Sequence, residues 1–242
     1  MERAVYDRMA EIDEVHWWFT ARRKIIDKVI RTQVAPPANA HILEVGCGTG
    51  SNLALLQRFG KLDAIEPDDT ARAFSEKRGG IAIQGGLLPD GVKLDDGAYD
   101  LIAMLDVLEH IPDDRIALEA LRPKLNGKGK LLLTVPAMPW LWSAHDEAHH
   151  HKRRYTGKAL ADVVTGTGYR ITYQSYFNTV LFPLVALARG VGKLTGKEGG
   201  DDALPPAPVN GMLGALFSAE AAWLGRHSFP VGVSLILVAE AA

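Results

Sequence analysis

Ile42-Leu43-Glu44-Val45-Gly46-Cys47-Gly48-Thr49-Gly50 decides the fold of this chain, because a short, mostly apolar segment runs directly into three glycines at alternate positions. Glycine has no Cβ, so the backbone of such a turn can approach a bound molecule closely. The helix predicted after the turn presents free N–H groups at its start. A Gly-x-Gly-x-Gly turn alone is a weak signal, and it is also compatible with a purely structural tight turn.

Strands and helices alternate on both sides of this turn. The strands are predicted at 41–45, 63–66, 80–83, 99–104, 130–135, 169–174 and 231–238, with helices at 52–59, 70–77 and 113–125 between them. This alternation is typical of a parallel sheet that is covered on both faces. We therefore expect an α/β, Rossmann-like fold: a seven-stranded, mostly parallel sheet with helices on both faces, in a single domain over 1–242.

Two helical additions are predicted outside this alternating pattern. The segment 1–35 has helical spacing up to the prolines at 36 and 37, which end the helix, and it is predicted to form an N-terminal lid. The segment 179–230 is predicted as a helical insertion with apolar stretches at 179–195 and 211–225. These stretches are interpreted as core-facing helices, with an apolar substrate tunnel or a grip on a membrane surface as the alternatives.

The composition describes an ordinary globular protein of 242 residues, 47% hydrophobic and 23% charged. Its net charge of −2 argues against a general nucleic-acid coat. The single cysteine, Cys47, cannot form an internal disulfide, and no run approaches the roughly 18 apolar residues of a spanning helix. The expected location is the cytoplasm.

An acid at the end of the second predicted strand is the expected partner of the glycine turn. Glu66 lies 20 residues after Gly46, where a carboxylate can accept hydrogen bonds from both hydroxyls of a ribose. The dinucleotide fingerprint requires a third glycine at the position of Ser51. Glu44 would repel a pyrophosphate but attract a sulfonium or an amino group. The residues predict an adenosine-type ligand, either a nicotinamide nucleotide or S-adenosylmethionine.

The chain resembles the class I S-adenosylmethionine-dependent methyltransferases. The stretch 42–50 is similar to the first motif of that family, and Glu66 is similar to its ribose-binding acid. The stretch Leu105-Asp106-Val107-Leu108-Glu109-His110-Ile111-Pro112-Asp113 resembles the motif after the fourth strand in the ubiquinone- and menaquinone-biosynthesis-like branch. The resemblance is strong over about 40–135 and looser elsewhere.

The resemblance implies a complete cofactor site with S-adenosyl-L-methionine as the cofactor. The glycines are expected to line the methionine portion, Leu105 and Asp106 to lie near the methyl group, and Arg22 of the lid to meet the cofactor carboxylate. The family often has an acid near the adenine amino group, where this chain has Gln84-Gly85-Gly86, so a backbone contact is expected to replace it. The predicted cofactor-binding residues are Arg22, Glu44, Gly46, Cys47, Gly48, Gly50, Asn52, Glu66, Pro67, Gly86, Leu105 and Asp106.

A histidine-rich loop follows the fifth predicted strand and would face the ligand crevice at the carboxyl edge of the sheet. Its histidines are His145, His149, His150 and His151. One of them is predicted to act as a general base, oriented by Asp146 or Glu147. Two alternatives remain, a purely structural role and a metal site built on the i, i+4 pair His145 and His149. We predict His145, Asp146 and His150 as catalytic residues and no metal.

These features predict a methyltransferase that acts on a small-molecule or lipid-like acceptor, with O-methylation preferred. A nicotinamide-dependent oxidoreductase is the competing enzyme, and a non-catalytic S-adenosyl-ligand-binding protein is the competing non-enzyme. Nucleic acid is not expected as an acceptor, because 105–108 lacks the Asn/Asp-Pro-Pro-aromatic turn of enzymes that methylate base amino groups. A peptide acceptor and peripheral membrane contact through 179–230 both remain open.

Overall fold

The computed structural model describes residues 3–195 and 203–242, and in this part of the chain one six-stranded sheet forms the centre. The strands are β1 (Ala40–Val45), β2 (Gly60–Ile65), β3 (Tyr99–Leu105), β4 (Leu125–Pro136), β5 (Tyr169–Phe177) and β6 (Ser234–Ala241). They are arranged in the order β2-β1-β3-β4-β6-β5. The first four are parallel, whereas β6 runs antiparallel to both β4 and β5. The α/β, Rossmann-like prediction is confirmed.

The prediction of seven strands in a mostly parallel sheet was wrong, because the described residues form six strands in a mixed sheet. The predicted strand at 80–83 does not form, and the residue after it, Gln84, makes only an isolated bridge with Ile65. Glycines with positive φ, Gly80 and Gly86, stand on both sides of this short segment and end the extended backbone. The antiparallel direction of β6 was not predicted, because an apolar run such as 231–238 has the same pattern in a parallel and in an antiparallel strand.

Helices cover both faces of the sheet. They are α1 (Arg3–Ile12), α2 (Trp17–Val29), α3 (Leu53–Leu56), α4 (Asp69–Gly79), α5 (Asp114–Leu121), α6 (Ala144–Ala148), α7 (Gly157–Gly166), α8 (Phe182–Thr195) and α9 (Ala207–Ala219). Alternate strand residues point to opposite faces, so Ile42 of β1 packs in the core beneath α2, α3 and α9. Its neighbour Leu43 packs in the core beneath α5 and α7.

The N-terminal segment forms two helices where one was predicted. The break lies between α1 and α2, where the His16 ring accepts a hydrogen bond from Trp18 N and so caps α2. Asp13, fully buried in the same break, is paired with Arg78 of α4 at 2.5 Å. The last turn of α2 widens into a π-helical turn, Ile30–Val34, and ends at Ala35 before the two prolines. This helix pair is therefore tied to the sheet domain by an ion pair.

The insertion contributes α8 and α9, and α9 packs against α2. The second helix begins at Ala207, four residues earlier than predicted, and the connecting residues 196–202 lie outside the described part. On α8 the side chains of Leu184 and Leu187 are exposed. None of the helices in the described residues has the length and apolar character needed to cross a membrane.

Candidate cofactor and acceptor site

The glycine turn is bound to the end of β2 by its own backbone. Gly46 N and Cys47 N both donate to the carbonyl oxygen of Ile65, at 2.8 and 3.0 Å. All three glycines have positive φ, but the space around them differs. A Cβ on Gly46 would lie 2.8 Å from Val107, and one on Gly50 would lie 2.8 Å from Leu53, whereas one on Gly48 meets no described atom within 4 Å. Gly48 therefore faces the open side of the turn, where a ligand has access.

Glu66 lies directly against this open glycine. Its carboxylate accepts hydrogen bonds from Gly48 N at 2.8 Å and from Asp68 N at 3.0 Å. Burial raises the pKa of Glu66, and the two backbone N–H groups partly oppose that increase. The structure thus brings together the turn and the acid that sequence spacing had paired.

A buried polar cluster lies behind the turn, centred on Arg22 of α2. Its guanidinium lies 2.5 Å from the Asp106 carboxylate and donates to Thr134 at 3.0 Å and to Asn52 at 3.3 Å. Asn52 in turn donates to Glu44 at 3.0 Å. Arg22, Glu44, Asn52 and Asp106 were all predicted as cofactor-binding residues, and the structure places them in one cluster. Thr134 was missed, because a threonine inside an apolar strand gives no sequence signal of its own.

Two atoms of this cluster have no hydrogen-bond partner in the described structure. They are Oε2 of Glu44 and Nε of Arg22, and both are buried. Burial, together with the nearby Glu66, raises the pKa of Glu44 to about 7 against the opposing effects of Asn52 and Arg22. Buried polar atoms are almost always paired in folded proteins. A buried acceptor and a buried donor without hydrogen-bond partners in one cluster fit a ligand that carries both an ammonium and a carboxylate group.

The remaining predicted cofactor residues lie around the same edge. Leu105 is the last residue of β3, and Pro67 is exposed directly after Glu66. Gly86 follows the Gln84 bridge to β2, and a Cβ there would collide with the carbonyl oxygen of Gly91. Cys47 is buried with its sulfur 3.6 Å from the Ser75 hydroxyl, and burial raises the pKa of its thiol, which makes it a poor nucleophile.

Asp146 organises the histidine-rich loop. This fully buried residue of α6 accepts hydrogen bonds from Ser143 N and from Arg154, and it lies 2.8 Å from the ring of His151. Arg189 of α8 pairs with its second oxygen at 3.3 Å. Burial by itself would raise the pKa of Asp146, but His151 and Arg154 reverse the effect and hold it well below its ordinary range.

Four imidazole rings come together beside Asp146. The His145 and His149 rings are 4.1 Å apart, and the rings of His110 and His151 are 4.7 Å apart. Burial, followed by the neighbouring histidines, lowers the pKa of His110 to about 3. His150 is exposed on the surface of the loop with a positive φ. The structure thus brings His145 into the cluster with Asp146 nearby and places His150 at its rim.

The arginines that follow the histidines bind groups of this chain. Arg154 donates to Asp146 and to the carbonyl oxygen of Ala137, and Arg153 lies 2.7 Å from Asp114. These contacts hold the loop against the end of β4 and the start of α5.

The fold and this edge together define the chain as a methyltransferase of the class I, Rossmann-like type. A family model described as "Methyltransferase domain" matches residues 17–174, so the chain belongs to that family. The match begins at the first residue of α2 and ends within β5, and it includes the glycine turn, Glu66 and the histidine-rich loop. It does not distinguish the ubiquinone-like branch, which stays a prediction.

Solved structures show the same fold at low sequence identity. An S-adenosylmethionine-dependent methyltransferase from Thermotoga maritima is similar with a TM-score of 0.60 at 14% identity, covering 97% of this chain and 98% of that one. One from Mesorhizobium loti has a TM-score of 0.57 at 13% identity, with 86% and 95% covered. Geranyl diphosphate C-methyltransferase from Streptomyces coelicolor has 0.60 at 11%, with 90% and 80% covered. No curated protein matches the sequence.

Proposed function

We propose that this chain transfers a methyl group from S-adenosyl-L-methionine to a small-molecule or lipid-like acceptor. The main support for the proposal is that one buried atom of Glu44 and one of Arg22 lack hydrogen-bond partners in the described structure. Both residues lie near a glycine turn that has open space at Gly48. A nicotinamide dinucleotide suits this site poorly, because its pyrophosphate would lie close to the Glu44 carboxylate. The zwitterionic amino-acid end of S-adenosylmethionine suits it well.

Each residue of the cluster has a role in holding the cofactor. Glu66 accepts hydrogen bonds from the ribose hydroxyls, in exchange for its present bonds to backbone N–H groups. Glu44 accepts from the cofactor ammonium, and Arg22 donates to its carboxylate. The cofactor supplies a methyl group on a sulfonium, which is a good leaving group.

The remaining residues of the predicted site lie around the rest of the cofactor. Pro67 and Gly86 flank the adenine, and Cys47, Gly46, Gly50 and Asn52 shape the turn. Leu105 and Asp106 lie on the methyl side. Asp106 is held there by Arg22.

The acceptor binds between this edge and the histidine-rich loop. We place the acceptor hydroxyl near His145, which takes its proton during O-methylation, with Asp146 holding the loop and His150 at the entrance. Alignment of the two substrates and exclusion of water contribute up to roughly 7–11 kcal/mol in well-oriented systems.

The insertion supports an apolar acceptor, because α8 covers this loop. Arg189 donates to the Leu141 carbonyl oxygen at 2.5 Å, and Lys193 donates to that of Trp140 at 2.8 Å. The Trp140 ring contacts Phe182, and the exposed Leu184 and Leu187 lie farther along the same helix. The structurally similar enzyme from Streptomyces coelicolor is a geranyl diphosphate C-methyltransferase, and its structure contains geranyl diphosphate. An apolar chain that emerges from the site would pass beside α8, and the exposed leucines on the opposite side of this helix would allow contact with a membrane surface.

Calorimetric titration tests the cofactor assignment. We expect S-adenosylhomocysteine to bind and NAD to give no heat. Glu66→Ala should weaken S-adenosylhomocysteine binding by about 1–3 kcal/mol, roughly 5- to 150-fold, because its hydrogen bonds to the ribose are lost. Asp63→Asn, a carboxylate change on the same β2 strand but paired with His41, should leave the affinity unchanged. An unaltered affinity of Glu66→Ala removes the ribose assignment, and NAD binding alone selects the oxidoreductase.

Turnover tests the acceptor half of the site. Extracted lipids and hydroxylated small molecules are first screened with methyl-labelled S-adenosylmethionine to find an acceptor. His145→Gln should then lower turnover by roughly 10²–10⁴-fold without changing S-adenosylhomocysteine affinity, since a general base contributes on that scale. His150→Gln should lower it less, because His150 is exposed at the rim, and the exposed His227→Gln serves as the control. Normal rates in both loop variants rule out the histidine base.

A further inference from the structure

Glu109 is a buried acidic residue that has no role in the proposed methyl transfer. It lies in the 3₁₀ turn Leu108–His110 that follows β3, and its exposed fraction is 0%. Neither carboxylate oxygen has a hydrogen-bond partner in the described structure. An isolated carboxylate is very costly to bury, and such groups are normally paired or coordinate a metal. A cation bound beside Glu109 would stabilise its ionised form.

Two imidazoles face this carboxylate. His151 Nε2 lies 3.9 Å from Glu109 Oε1, and the His110 ring contacts the His151 ring edge-on. One ligand atom from each of the three residues can be chosen so that all three lie within 4.8 Å of one another. Ligands on tetrahedral Zn²⁺ are roughly 3.4 Å apart, given bonds of about 2.0–2.1 Å, so side-chain shifts on the order of 1 Å complete the set.

The surroundings already orient these three side chains. The other ring nitrogen of His151 is bound to Asp146 at 2.8 Å, which leaves Nε2 directed at Glu109. A carboxylate on the far nitrogen is the usual outer partner of a metal-binding histidine. Lys152 N donates to the Glu109 carbonyl oxygen at 2.8 Å, so the backbone joins the loop to the turn after β3. The loop and the turn are held together by groups that are not ligands.

We propose that Glu109, His110 and His151 bind a divalent transition-metal ion of the Zn²⁺ class. Two imidazole nitrogens and one carboxylate oxygen suit such ions, whereas Mg²⁺ and Ca²⁺ prefer sites made of oxygen. The ion neutralises Glu109 and ties the histidine-rich loop to the turn that carries Asp106. The rings of His145 and His149 lie 6.2 and 5.7 Å from that of His151 and are not among the proposed ligands. None of the three proposed ligands is among the residues assigned to the cofactor or to the acceptor.

Cobalt titration of the full chain tests the site. The protein, without an affinity tag, is stripped with a chelator and titrated with Co²⁺ while its visible d–d absorption is recorded. We expect one equivalent to bind with a tetrahedral spectrum, Zn²⁺ to displace it, and Zn²⁺ to raise the Tm. Glu109→Gln keeps the shape of the side chain, and both it and His151→Asn should weaken Co²⁺ binding at least 100-fold.

The controls separate a built site from surface binding. His227→Asn, a change of an exposed histidine whose ring lies 4.3 Å from that of Trp223, should retain one equivalent of Co²⁺ with the same spectrum. If Glu109→Gln does not fold, His110→Asn replaces it in the comparison. Failure of the wild-type chain to bind Co²⁺, or equal binding by the ligand variants, overturns the proposal.

Discussion

Replacing Asp146 with alanine is expected to lower the free energy of unfolding by about 3–5 kcal/mol at pH 7, since the change leaves buried cations without their partner. Arg154 and His151 lie within 2.8 Å of this carboxylate, and Arg189 lies 3.3 Å away. Urea denaturation in the presence of EDTA measures the loss without any contribution from a bound metal. The effect is large because Asp146 joins the loop, the segment after it and α8.

The stabilisation by Asp146 depends on pH with a definite sign. Its pKa in the folded chain lies below the ordinary value of 3.8. The stabilisation is therefore fully present above the unfolded pKa and is lost as the pH falls from about 4 towards the folded pKa. The gap between wild type and Asp146→Ala should be constant above about pH 5 and should narrow in acid.

Asp162→Ala is the matched control for Asp146. Asp162 pairs with Lys158 on the surface of α7, so its removal should change the stability by at most about 0.5 kcal/mol. An Asp146→Ala variant as stable as this control would show that the buried pairs contribute no net stability.

Glu44→Gln is expected to stabilise the protein at pH 8 by roughly 3 kcal/mol and to have little effect at pH 5. Burial raises the pKa of Glu44 from 4.5 to about 7. Between these values the folded chain binds more protons than the unfolded chain, so wild-type stability falls as the pH rises. Glutamine has no charge to bury and can still accept the hydrogen bond from Asn52. Denaturation curves at pH 5 and pH 8 measure the difference.

The same variant should bind S-adenosylhomocysteine less tightly at pH 8, because an ionised partner for the ligand ammonium is lost. Glu119→Gln, on the surface of α5, is the control and should change neither quantity. Unchanged stability at pH 8 would contradict the burial of an ionised Glu44. A more stable variant with undiminished ligand affinity would remove Glu44 from the proposed binding site. We therefore expect an ionised Glu44 to lower the stability of the protein and to raise its affinity for the ligand.

Sequence spacing predicted those features of the site that lie on elements close together in the sequence. The turn at 46–50 and Glu66 are brought together because parallel β1 and β2 end at the same edge. The Arg22 cluster could be suggested only by resemblance to a family, since its bond to Thr134 spans 112 residues. A periodic sequence pattern gives no information about a contact between two side chains that lie 112 residues apart on different elements.

The histidine-rich loop shows the same limit. The sequence pattern indicated that its histidines and Asp146 act together, but it could not show which ring Asp146 would contact. The structure gives His151 that contact and leaves His150 exposed. The role of Glu109 was not predicted, because a glutamate beside a helical turn is usually solvated. Its burial depends on how the loop after β4 packs over the turn after β3.

By itself, the sequence determined the α/β alternation and the glycine turn with its acid, and the resemblance of its motifs to a family indicated the class of the protein. These features follow from local backbone preferences and from side chains that alternate along a strand. Only the tertiary structure decided the number and direction of the strands, the cluster around Arg22 and the partner of Asp146. The number and direction of the strands depend on which backbone edges pair in the packed sheet. The Arg22 cluster and the partner of Asp146 depend on which charges the packed elements bury together, because an unpaired buried charge is costly.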